Sequence, residues 1–223
     1  MDQQKTSAFK RNDRNRIKRG HKRGHYDQKT VYDIIDSHFL CHVAYEVDGQ
    51  PFIVPTSHWR EGNKLYWHGS IKSQMIRHLA KGNSATVSVT HIDGLVLARS
   101  AFSTSVNYRS AICYGTPTLV TDKDEWVRVM KLFFDKLAPE RWEQLRPMTD
   151  QEYKATGLLE MDIEDAAAKV RADPPGDGEE ADWPIWAGVI PLDIVERAPI
   201  KAPEKGGAPL LHGIMPAYDW KKS

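Results

Sequence analysis

Between residues 39 and 69 the chain reads FLCHVAYEV, DG, QPFIVPTSHWR, EGN and KLYWHG: three runs rich in β-branched and aromatic residues, joined by very short turn signals. A two-residue Asp-Gly link leaves no room for a crossover helix, so the first two runs are expected to pair antiparallel as a hairpin. Glu61-Gly62-Asn63 makes a second tight link, and the three runs read as a meander. Further along, SATVSVTHI alternates apolar and polar residues, and a second Asp-Gly pair at 93–94 is expected to turn it into LVLARSAF. YRSAICYGTPTLV adds another strand-like run. LLEMDIEDAAAKVRA fits either a helix or a strand, and reads better as a strand beginning at Leu158. Short strands at spacings of about 8 to 12 residues point to a small antiparallel barrel, a mainly β, α+β fold with flanking helices. The regular strand–helix alternation of a doubly wound sheet is absent.

Four stretches carry a helical period instead. Residues 27–38 place Val31, Ile34 and Ile35 on one face behind Asp27 as N-cap. SIKSQMIRHLAK, residues 70–81, stops at Gly82-Asn83. In residues 122–137, Trp126, Val129, Met130, Phe133 and Phe134 recur at helical spacing behind an acidic first turn. Thr149 and Glu152 have capping-box spacing over a short helix at 149–156.

A chain of 223 residues can bury a proper core. With no apolar run of about 18 residues it is not expected to span a membrane. Its polar, basic start does not read as a secretory leader. Two cysteines, Cys41 and Cys113, in separate apolar contexts suit buried free thiols in a reducing cytoplasm better than a disulfide. The net charge of +1 conceals an asymmetry: residues 1–25 hold nine Lys and Arg against Asp2 and Asp13, hence +7, which leaves −6 for the remainder. Residues 1–24 therefore read as a basic, partly disordered arm on an acidic body. Nucleic acid is not expected as a partner, since no aromatic residue interleaves with the basic ones between 10 and 25 to stack on bases.

Most signatures of chemistry are missing. There is no G-x-G-x-x-G, no P-loop, no H-E-x-x-H, no paired C-x-x-C and no G-x-S-x-G elbow, so dinucleotide, zinc and elbow-serine chemistries lack support. Three segments remain. In LYWHGSIKSQMIRHL, a strand passes through Gly69 to Ser70, Lys72 and Ser73 at a helix start, which suits either a phosphate seat or a capped helix with a solvated lysine. In DGLVLARSAFSTSVNYRSAICYG, Arg99, Ser100, Ser103, Thr104, Ser105, Asn107, Arg109 and Ser110 crowd between two apolar strands, as a donor-rich rim or as a hydrophilic loop with salt-bridged arginines. IWAGVIPL sets Trp186 near a glycine, as a core aromatic or as the wall of a planar cofactor.

Together these three segments resemble the FMN-binding split-barrel superfamily of pyridoxamine 5′-phosphate oxidase, and above all its flavin-nucleotide-binding, nitroimidazole-resistance-type branch. The resemblance covers about residues 22–192. It implies a six-stranded antiparallel split β-barrel over residues 25–198, followed by a tail at 199–223, and a homodimer with FMN at the interface. It implies that Val54, Pro55, Thr56, Ser57 and His58 run beside the isoalloxazine ring, with Tyr66, Trp67 and His68 on the next strand. Ser70, Lys72 and Ser73 would surround the phosphate, Asn107, Arg109 and Ser110 would supply polar flavin contacts, and Trp186 would lie against the flavin. The Arg-x-His pair with which the oxidases grip substrate phosphate has no counterpart in AGVIPLDIVER, so pyridoxamine phosphate oxidation is not implied. His68 matches a flavin-proximal histidine of the nitroimidazole-resistance-type branch, which implies a proton donor. The activity implied is transfer of electrons or hydride from reduced FMN to a small acceptor, with a non-catalytic flavin carrier or sensor as the alternative.

Overall fold

The computed structural model describes residues 7–200. The wall of the molecule is one antiparallel sheet built from β1 (Gly24–His25), β2 (Leu40–Val47), β3 (Gln50–Glu61), β4 (Lys64–Ser70), β5 (Ala85–Leu97), β6 (Ser105–Gly115), β7 (Thr118–Leu119), β8 (Thr156–Asp162), β9 (Asp165–Arg171) and β10 (Gly188–Pro191). Its spatial order is β1-β9-β6-β5-β2-β3-β4-β8-β7, with β10 on the far end of β5. β8 and β9 pair near opposite ends of that order, with β4 and β6, yet only Ile163 and Glu164 separate them. The sheet must therefore curl until its ends meet, and β8–β9 acts as one bent stave of a six-stave split barrel. Closure is tight at that corner: a Cβ on Gly115 would collide with the Asp162 carbonyl and lie 2.7 Å from Met161 Cγ.

Local chemistry explains most of the elements. Asp48 and Gly49 both take positive φ, 50° and 77°, which is the two-residue hairpin turn expected between β2 and β3. The second Asp-Gly pair does not turn. β5 runs straight through it with a bulge at Asp93, because Arg109 holds the Asp93 carboxylate at 2.8–3.1 Å and β10 pairs alongside Gly94. A side chain at Gly94 would press on the Ile190 carbonyl at 3.0 Å, so close strand approach and not turn geometry accounts for this glycine.

Among the described residues five α-helices flank the barrel: α1 (Gln28–Asp36), α2 (Gln74–Leu79), α3 (Lys123–Leu137), α4 (Arg141–Gln144) and α5 (Asp150–Ala155). Asp27, Asp122 and Thr149 cap α1, α3 and α5, the last in a complete capping box. α2 starts three residues later than the sequence suggests, with Ser73 as its N-cap, because Gly69 and Ser70 still pair with Gly157 and Thr156 of β8. Inside the barrel Cys41, Val43, Leu65, Trp67, Val87, Ala111 and Leu159 pack with α1 and α2 residues. A second apolar cluster lies outside the wall, where Trp126, Val129, Met130 and Phe133 of α3 cover Trp59, Tyr66 and Leu158.

Of the basic arm expected to be partly disordered, residues 7–24 pack against the barrel. Phe9 is buried, Asn15 Nδ2 donates to the carbonyls of Lys10 and Ala166, Arg14 pairs with Asp165 and Glu164, and Gly24 and His25 pair with β9. Buried polar contacts and a strand bridge outweigh the charge repulsion that composition alone suggests. The expected tail at 199–223 lies outside the described residues from 201 onward.

Candidate functional site

Strand alternation decides which residues can share a site. Along β3, Val54, Thr56 and His58 face the barrel interior: Val54 and Thr56 lie opposite buried Val43 and Cys41, and His58 lies opposite Trp67. Pro55, Ser57 and Trp59 face outward. The block 54–58 expected beside one ring is thus split between two faces. His58 is fully buried; its Nε2 donates to the Ile35 carbonyl at 3.0 Å, and burial pushes its pKa down to about 4. Trp67 belongs to the interior core as well.

The outer face has two halves. Over β4 and the end of β3 it lies beneath α3, and there His68 sits half-buried among aromatic rings, 5.9 Å from Trp59 and 5.6 Å from Phe133. Its Nδ1 is buried without a protein hydrogen-bond partner, and desolvation lowers its pKa below the ordinary imidazole value. A neutral imidazole is a poor resting form for a proton donor but the right form for a metal ligand. Gly69 leads on to the turn at 70–73, where Ser70 Oγ accepts from the Lys72 amide at 3.3 Å and Ser73 Oγ accepts from Ile76 N at 3.3 Å. Both hydroxyls keep an O–H to donate. Lys72 is exposed and makes no ion pair with the described residues, so the turn is a cationic, donor-bearing corner.

The other half, over β2, β5, β6 and the start of β3, has no helix above it among the described residues. Register places Pro55, His42, Ser88, Ile112 and Ala167 in one row across five strands, with Ile53, Ala44, Thr86 and Tyr114 in the next. Thr90 pairs with Ser110, Ile92 with Tyr108, and Val106, Leu95 and Ile190 form a row across β6, β5 and β10. Ile53 and Ile92 are 64% and 59% exposed, and Leu95, Val106, Ile112 and Ile190 are exposed too. The face is a flat floor of small and hydroxyl residues bordered by apolar ones. It suits a planar ring with polar edges, a second protein surface, or both.

The donor-rich segment behaves differently from the expectation. Ser110 faces this floor, but Asn107 and Arg109 are buried and point away from it. Arg109 is bound to Asp93, and Asn107 accepts from Arg171. Arg99 is likewise spent: its amide and guanidinium donate to Asp177 at 2.6 and 2.5 Å, and its Nε donates to the Trp183 carbonyl, pinning the acidic loop 172–187. Trp186 is 64% exposed and folds over Gly188, where a Cβ would meet its ring at 2.8 Å. Leu40, His42, Ser88, Thr90, Ile92 and Ile112 were not singled out from sequence. Their signal was present, since β5 carries large apolar residues on both faces at Val87, Val89, Ile92 and Leu95, but only the strand register gives it meaning.

These features can be compared with known proteins. The flavocytochrome Anf3 from Azotobacter vinelandii is 39% identical, with a TM-score of 0.82 over 87% of this chain and 91% of that one. The FAD and heme binding protein from Mycobacterium smegmatis is 34% identical, with a TM-score of 0.80 over 87% and 95%. A putative 5-nitroimidazole antibiotic resistance protein from Bacteroides thetaiotaomicron, 20% identical with a TM-score of 0.55 over 66% and 86%, shares the fold. No curated protein matches the chain. The family model for pyridoxamine 5′-phosphate oxidase matches residues 27–170, from the N-cap of α1 through most of β9, and on that match the chain belongs to the pyridoxamine 5′-phosphate oxidase family.

Proposed function

We propose that this protein is a flavin-binding redox protein that works as a homodimer, with the flavin lying against the open outer face of the barrel. The observation that carries this reading is that face itself, a hydroxyl-lined, apolar-bordered floor, taken with the exposed cation and the two serines of the 70–73 turn. The residues fit a flavin by the chemistry of their donors. Ser70, Lys72 and Ser73 would hold phosphate, Ser57 and Ser110 would meet polar ring edges, and Trp186 would close one side. Bound flavin would supply the electron or hydride transfer, while the chain orients the ring and excludes water. His42, Ile92 and Ile112 would be covered by the second copy. FAD is favoured over the FMN implied by the sequence resemblance, because the Mycobacterium relative binds FAD. The acceptor is a small molecule, and the two buried thiols, both pushed up to about 12, suit a reducing compartment. Among the described residues no helix is long and apolar enough to cross a membrane.

A second reading adds haem, since the Azotobacter flavocytochrome and the Mycobacterium FAD and heme binding protein are both named for it. His68 is the residue suited to hold its iron, because the imidazole is neutral, unpartnered at Nδ1 and flanked by flat aromatic rings. Denaturing the purified protein and weighing the released small molecules tests both readings. Release of FAD together with a visible flavin band is expected. Protein that is colourless and takes up neither FAD nor FMN sinks the flavin reading. Replacing His68 with Ala should abolish a Soret band and leave the flavin band in place. If the unaltered protein never shows a Soret band after haemin addition, the haem reading falls alone.

A further inference from the structure

Beyond β10 the chain leaves the sheet at the border of the open floor. Ile190 stands in the row with Leu95 and Val106, and Leu192 N donates to the Asp93 carbonyl at 3.1 Å. Further pairing along β5 is closed off, because β2 takes the same edge from Ser88 back to Thr86. Residues 192–200 form no helix or strand, and every one of them is exposed. Leu192, Ile194 and Val195 are 41%, 54% and 63% exposed, so this strap lies neither in the core nor flat on its own chain. Successive residues of an extended chain point to opposite sides, so Ile194 and Val195 present apolar groups in both directions. A segment with water on one side alternates apolar and polar residues, whereas one held between two surfaces is apolar on both.

Size and charge indicate what the second surface is. Five strands from β3 to β9 make a floor about 19 Å wide, and β5 from Thr86 to Leu95 makes it about 30 Å long. That is about 600 Å2, part of it given to the flavin, whereas a specific interface buries roughly 800 Å2 on each partner. Two floors face to face fall short, and an exchanged strap supplies the missing contact. Residues 192–200, fully extended, reach about 30 Å, enough to cross the width of a floor. The strap carries Asp193 and Glu196 against Arg197. The β9 border of the floor carries the opposite sign in Lys169, which pairs across from Ser110, and in Lys22, just ahead of β1. Neither lysine makes an ion pair among the described residues.

We propose that residues 192–200 are an exchanged strap, which each copy lays across the open floor of the other, closing the flavin beneath it. The proposal rests on the flavin and homodimer reading and adds the segment of the partner that completes the site. It is tested on the flavin-loaded, full-length protein carrying Ile194→Cys labelled with a benzophenone maleimide. Illumination should give a product of two chains' mass, joined from residue 194 to β2, β5 or β6. Val127→Cys, exposed on α3 away from the floor, should give no such product when labelled in the same way. Independently, Ile194→Arg combined with Val195→Arg should weaken dimerisation about tenfold or more in a dilution series read by light scattering, with circular dichroism unchanged. Links confined to one chain, links to α3–α5, or an equal yield from Val127→Cys would each overturn the proposal. Flavin-loaded dimers with no link to the floor and no weakening in the double variant would overturn the strap alone and leave the flavin reading standing. Unaltered chains that stay single and bind no flavin would overturn both.

Discussion

The outer surface of this barrel has two halves that the same strands build in opposite ways. On one, Trp59 stacks on Tyr66 and Phe133, with ring centroids 6.0 and 4.7 Å apart, and α3 seals the cluster from water. On the other, Ile53, Ile92, Leu95, Val106 and Ile190 stand in rows just as apolar, with nothing above them among the described residues. Burial of a large aromatic side chain stabilises a domain by several kcal/mol, whereas an exposed isoleucine contributes little to the isolated chain. The covered half is therefore structural. The open half keeps apolar surface that a single chain does not need, and that is where a cofactor and a second copy have something to gain.

The largest test strikes the covered half. Trp59→Ala removes the ring at the centre of the outer cluster and should cost about 3–5 kcal/mol, read from denaturant unfolding. A loss below about 1 kcal/mol would mean that α3 does not seal this face, and the distinction between the halves would fail.

The second test concerns the wall behind both halves. His38 and His58 are each pushed down to about 4, in both cases chiefly by burial. Below about pH 6.5 the unfolded chain takes up protons at these imidazoles while the folded one does not, so stability must fall as pH drops from about 6.5 toward 4. For His58 alone the loss should reach about 2–3 kcal/mol by pH 4.5. His58→Gln, which can still donate to the Ile35 carbonyl, should flatten that part of the slope whatever it does to stability at pH 7. An unchanged slope would place His58 outside the buried wall.

How far this could be seen in the residues depends on how local each cause is. The Asp48-Gly49 hairpin, the capping box at Thr149 and the apolar stripe of α3 were all legible, because each follows from residues within a few positions. The same Asp-Gly pair at 93–94 misleads: its fate is set by Arg109, sixteen positions on, and by β10, nearly a hundred away. The residues alone suggested a helix start at Ser70, and the pairing of Ser70 with Thr156 on a distant strand moves the cap to Ser73. The candidate site was legible in part. The segments were found, but residues 54–58 and 107–110 were read as blocks, whereas a period of two sends alternate residues to opposite faces. Which face is open depends on where α3 lands. Which arginines are free depends on Asp93 and Asp177, partners that no spacing rule identifies.

The smallest effect on stability should come from the open half, and there it is the contrast that informs. Ile92 is 59% exposed, opposite half-buried Tyr108 on β6, so Ile92→Arg should change the unfolding free energy of the chain by no more than about 0.5 kcal/mol. Its consequence should lie elsewhere. An arginine in the middle of an apolar contact leaves a desolvated charge without a partner, which two copies related by symmetry would each suffer. Light scattering behind size exclusion should therefore show the variant at the mass of one chain where the unaltered protein shows two, with flavin lost alongside. A variant that stays dimeric and keeps its flavin would show that this face is not the one the partner covers. Its exposed apolar rows would then have no role in assembly, however much they look like an interface.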